Sequence, residues 1–97
     1  MPPTLTHSVV ARVIRRRVSR LRYCLVGSSN VKGRSGKAVI TLSINKSGEV
    51  DSVRVKAPAF RGTNLGACVK RTARLWRFPK FKKGTITHSY PVIFRGR

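Results

Sequence analysis

Leu65-Gly66-Ala67-Cys68-Val69-Lys70-Arg71-Thr72-Ala73-Arg74-Leu75-Trp76-Arg77-Phe78-Pro79 is the stretch whose reading decides the fold. Leu65, Cys68, Val69, Thr72, Ala73 and Trp76 recur at steps of three and four, which gathers them on one side of a helix, while Lys70, Arg71, Arg74 and Arg77 take the other side. Thr63 or Asn64 is placed to cap the start. Pro79 has no backbone donor and disfavours helix in the residue before it, so it closes the end. Trp76 is the sole tryptophan, and its place on the apolar side makes it the expected anchor of the core.

Working outward, Val10, Ile14, Val18, Leu21 and Leu25 repeat the helical spacing, with Val13 and Cys24 widening the stripe and Arg12, Arg16 and Arg20 opposite. The spacing predicts one amphipathic helix from a Ser8 cap to Gly27, preceded by a flexible tail over residues 1–7 that carries two prolines. Residues 28–36 read as a polar connection. From Lys37 the period changes to two, with Ala38, Ile40, Leu42 and Ile44 on one face and Val39, Thr41 and Ser43 on the other. Asn45-Lys46-Ser47-Gly48 is turn chemistry, and Gly48 supplies the positive φ of a hairpin. Val53, Val55 and Ala57 alternate on a second strand that Pro58 ends; Val50 is out of phase, which predicts a bulge near Asp51. Residues 80–84 form a basic loop. The last strand, residues 85–94, puts Ile86, His88, Tyr90, Val92 and Phe94 on one face, and Pro91 within it points to an edge or a bulge.

The order is α-β-β-α-β in a single domain over residues 8–97. Two helices packed on a three-stranded antiparallel sheet give an α+β two-layer sandwich, and so small a sheet leaves two edge strands.

The charge is far from ordinary: 22 Lys and Arg against 2 acidic residues, formally +20. Both acids, Glu49 and Asp51, lie in one segment, so the excess runs through the whole chain and attracts polyanions. Arg12, Arg15, Arg16, Arg20 and Arg22 on the first helix, Lys70, Arg71, Arg74 and Arg77 on the second, and Lys80, Lys82 and Lys83 beyond it are the candidate contacts. Such contacts to phosphates give affinity without base selectivity. Tyr23, Trp76 and Phe78 are assigned to the core, which leaves few aromatic side chains for stacking on bases.

Catalytic chemistry finds little footing. His7 falls in the tail, His88 reads as a strand residue, and Glu49 and Asp51 flank the hairpin turn as solvated groups. There is no nucleophile paired with a base, and no glycine loop to cradle phosphate. Two cysteines and two histidines lack any ligand spacing, so neither a metal, a cofactor nor an enzymatic activity is expected. No stretch approaches the roughly 20 apolar residues of a spanning helix. The Arg-rich first thirty residues superficially resemble an organelle transit peptide, but the rest of the chain shares their composition.

Three stretches carry a resemblance. They are Gly36-Lys37-Ala38-Val39-Ile40-Thr41-Leu42-Ser43-Ile44, then Ser47-Gly48-Glu49-Val50-Asp51-Ser52-Val53-Arg54-Val55, then Ala67-Cys68-Val69 leading to Leu75-Trp76-Arg77-Phe78-Pro79. Together they resemble the C-terminal domain of TonB-family energy transducers. Val13-Ile14-Arg15-Arg16, Arg22-Tyr23-Cys24, Cys68 and Tyr90-Pro91 are similar to the subgroup at the ends of gliding-motility proteins, and the likeness covers about residues 9–94.

The resemblance implies a tethered periplasmic module, active in envelope energy transduction, transport or motility. Such a module adds an extended peptide of an envelope or outer-membrane partner to its sheet as a strand. By position the docking edge is the last strand, with Ile86, His88, Tyr90, Val92 and Phe94. Cys24 and Cys68 fall on the packing faces of the two helices and are either a disulfide or two buried thiols; the resemblance favours the bridge. The other reading of the same scaffold is a nucleic-acid backbone binder, within a ribonucleoprotein for instance. As part of a longer tethered protein the chain belongs in the periplasm or envelope; as the whole protein it belongs in the cytoplasm or a nucleoprotein.

Overall fold

A computed structural model describes residues 5–26 and 35–95 of the chain. The expected helix stop at Gly27, most of the following connection, and the first four tail residues lie outside the described residues, as do the side chains of Leu25 and Val26. The elements run α1 (His7–Arg17), α2 (Arg22–Val26), β1 (Ser35–Asn45), β2 (Val50–Lys56), α3 (Leu65–Arg74) and β3 (Thr85–Arg95). The three strands form one antiparallel sheet in the order β2-β1-β3, and the helices cover one face of it, α1 against β3 and α3 against β2. The architecture is the expected α+β sandwich.

The alternation in β1 is obeyed along its length. Ala38, Ile40, Leu42 and Ile44 are buried among Val10, Ile14, Leu21, Leu65, Val69 and Ala73 of the helix layer. At the β1–β2 hairpin, Asn45 Oδ1 accepts from the amides of Ser47 and Glu49, and Asn45 Nδ2 donates to Asp51 at 2.8 Å. The register passes from Ser43↔Ser52 to Ile44↔Val50, so Asp51 is the extra residue of the expected bulge and Val50 turns inward.

The two helical expectations need correction at their ends. The first helix does not run unbroken: after Arg17 the chain tightens into a 3-10 turn, Val18–Leu21, before α2 resumes. This keeps Leu21 and Cys24 buried and leaves Val18 half-buried. Its cap is Thr6, whose Oγ1 accepts from Val9 N, and not Ser8; Leu5, expected in the tail, is only 3% exposed and belongs to the core. Tyr23, expected in the core, is 77% exposed, because within α2 it stands one helical step of about 100° from Cys24, which takes the buried side.

The second helix stops at Arg74 instead of reaching Pro79. Its start is held by Thr63, whose Oγ1 accepts from Leu65 N and donates to Phe60 O, with Asn64 at the cap position making no side-chain bond. Beyond Leu75 the chain straightens and lies along the hairpin turn: Phe78 N donates to Gly48 O, Phe81 N to Lys46 O, and Arg77 bridges Glu49 through the backbone. The gain from leaving the helix is the burial of Phe78 and Phe81 alongside Trp76. Gly48 is required twice over, since its φ of 82° suits no other residue well and a Cβ there would strike the Phe78 carbonyl. Cys24 and Cys68 form a disulfide, Cα to Cα 5.4 Å, that ties α2 to α3.

Candidate docking edge and cationic surface

β3 pairs with β1 along its whole length, from Ser35↔Arg95 to Asn45↔Thr85, and no strand lies on its other flank among the described residues. Ile86, His88, Tyr90, Val92 and Phe94 share the face turned toward the helices, opposite Ile44, Leu42, Ile40, Ala38 and Gly36. Thr87, Ser89, Pro91 and Ile93 share the uncovered face, where Thr41 Oγ1 lies 2.9 Å from Ser89 Oγ.

Burial along β3 is graded. Val92 and Phe94 are core residues, 8% and 3% exposed, and Phe94 meets Phe60 edge-on. Ile86, His88 and Tyr90 are only half-buried, so the helix layer leaves the first half of the strand partly uncovered. Of the five expected docking residues, these three remain available and the other two are consumed by the fold.

Pro91 orients the edge. A residue in an antiparallel ladder directs both its backbone groups to one flank, and Pro91, which has no N–H, fits where the ladder to β1 asks for none. By alternation Thr85, Thr87, Ser89 and Ile93 direct their N–H and C=O groups away from β1, to the open side.

His7 belongs to α1 and not to a tail, and its Nδ1 is 2.7 Å from His88 Nδ1, so one ring donates to the other. Burial first, and the His7 charge second, push the His88 pKa below its ordinary 6.5. No third His, Cys, Asp or Glu gathers with this pair into a metal-binding group among the described residues. Tail placement hid this contact in the sequence. His7 marks the flank of α1 that meets β3.

Arg12, Arg15, Arg16, Arg20, Arg22, Lys70, Arg71, Arg74, Arg77, Lys80, Lys82 and Lys83 are all exposed. Because α1 and α3 bury their apolar sides against the same sheet face, Arg12 and Arg16 of one and Lys70, Arg71 and Arg74 of the other face outward from one layer. Arg77 and Lys80 lie apart from them beside the hairpin turn, and Lys82 and Lys83 lead into β3. No helix among the described residues is long and apolar enough to cross a membrane. No model of a protein family, no curated protein and no solved structure matches the chain.

Proposed function

We propose that the chain is a non-enzymatic binding module that captures an extended peptide by taking it as a fourth strand beside β3. The observation that carries this reading is the open flank of β3, an eleven-residue strand paired on one side only among the described residues. The opposite edge is less suited: β2 has seven residues, a bulge at Asp51, and Arg54 and Lys56 on its uncovered face, devices that blunt an edge. The likeness to TonB-family C-terminal domains supports the same mode and an envelope or outer-membrane protein as the source of the peptide. The Cys24–Cys68 disulfide supports an oxidising compartment such as the periplasm.

Selection of binders from a displayed library of short random peptides tests it. Selected peptides are expected to slow hydrogen exchange at the Thr87 and Ser89 amides. They are also expected to lose binding to Thr87→Pro, which deletes an outward donor and leaves the β1 ladder intact. Binding unaffected by Thr87→Pro, in protein that melts like the parent, overturns the reading.

The outward cations of α1 and α3 support a second reading, contact with the phosphate backbone of a nucleic acid. Its expectation is duplex binding that weakens steeply as salt rises.

A further inference from the structure

Resting on the docking reading, we propose that the strand received by β3 is acidic and that it docks on residues 85–90. Three independent features of the edge point to this partner.

The first is the burial gradient. A strand laid beside β3 sends alternate side chains under the helix layer, where Ile86, His88 and Tyr90 offer a half-buried apolar shelf. Beyond Tyr90 the shelf ends, because Val92 and Phe94 are already covered.

The second is the supply of backbone groups. Thr85, Thr87 and Ser89 direct both a donor and an acceptor outward, whereas Pro91 interrupts the donor row before Ile93. The continuous part of the template and the shelf coincide. An edge that alternates donors with acceptors suits another peptide backbone, which answers both. A phosphodiester chain brings acceptors only and leaves each outward carbonyl unanswered.

The third is charge. Within residues 85–90 the strand carries no charge beyond the His88 imidazole, yet its rim is cationic. Lys82 and Lys83 stand immediately before it and are exposed. Arg15 is exposed on α1, about 12 Å along the helix from His7. No acid lies on β3, on α1 or in the loop between α3 and β3; Glu49 and Asp51 sit on the neighbouring β1–β2 hairpin, where Asn45 Nδ2 holds Asp51. A peptide that alternates apolar residues with carboxylates matches the shelf with one set of side chains and the rim with the other.

The test uses the intact protein and dye-labelled synthetic peptides of about eight residues. One alternates valine with aspartate, a second replaces aspartate by asparagine, and a third is the aspartate peptide with alternate backbone nitrogens methylated. Affinities are read by fluorescence anisotropy at low and high salt, with a short DNA duplex as competitor and hydrogen exchange to locate the footprint. The aspartate peptide is expected to bind about tenfold tighter than the asparagine peptide at low salt, and the gap is expected to narrow as salt rises. Exchange should slow at residues 85–90 and not at Ile93, and Lys82→Glu with Lys83→Glu should reduce the preference for aspartate.

Equal binding of the aspartate and asparagine peptides overturns the acidic partner and leaves edge docking in place. Equal binding of the methylated peptide overturns edge docking, because charge alone then accounts for the attraction. Protection that extends through Ile93 overturns the footprint. Displacement of the peptide from these same amides by the duplex, or binding of the duplex alone, overturns the peptide in favour of a nucleic acid.

Discussion

His88 couples the edge strand to the acidity of its surroundings. Its ring lies between the His7 imidazole, 2.7 Å away between Nδ1 atoms, and the Tyr90 ring on the same face of β3. With its pKa held below 6.5 by burial and then by His7, the folded protein binds the His88 proton less readily than the unfolded chain does. Between the two pKa values the unfolded state therefore holds more protons, and acid favours unfolding. The contribution is complete above 6.5, is lost as pH falls through the folded value, and levels off below it. Thermal melts taken downward from neutral pH are expected to show a falling midpoint that His88→Asn flattens. An identical decline in the variant would remove His88 as its source. The proton-sensitive side chain sits at the centre of the proposed footprint, so the same titration adds positive charge where an acidic peptide arrives.

Among the elements, α2 depends most on a single bond. Five residues are too few for a helix to hold by itself, and the Cys24–Cys68 bridge joins it to α3 across 44 positions of chain. Cys68→Ser is expected to lower unfolding stability by about 4 kcal/mol on the chain-entropy model, measured by urea denaturation. Coincident urea curves for the variant and the parent would show that the bridge contributes nothing. The strands were legible in the sequence because their signal is local: the alternation in β1, the turn at Asn45 and Gly48, and the misphased Val50 each follow from neighbours a few residues apart. The proline in β3 pointed to an edge or a bulge, and the register with β1 settles it as an edge. Helix ends were not legible, because α3 stops at Arg74 to let residues 77–81 lie against the hairpin turn, some thirty positions earlier in the chain. Periodicity cannot register such a contact, and Trp76 is buried by either path. Tyr23 is a different case, since its spacing already placed it outside and only its aromatic character suggested the core.

For the whole molecule, charge and size act together. The fold measures 45 × 19 × 18 Å and the chain carries a formal +20. At an ionic strength of about 0.01 M the Debye length, roughly 30 Å, exceeds both short dimensions, so cations repel across the entire thickness. At about 0.15 M it shrinks to roughly 8 Å and only neighbours interact. The melting midpoint is expected to climb with added sodium chloride over this range and then flatten. A midpoint indifferent to salt would show that self-repulsion does not limit stability.

The unfinished side of β3 also bears on how the protein meets itself. Sheet rims left bare commonly join rim to rim into ribbons and fibres. Here each approaching sibling brings the same surplus of positive charge, so the polycation works as a guard that admits an anionic visitor and turns its own kind away. Swamping that guard with concentrated electrolyte should release the opposite behaviour, a slow growth of oligomers seeded through β3.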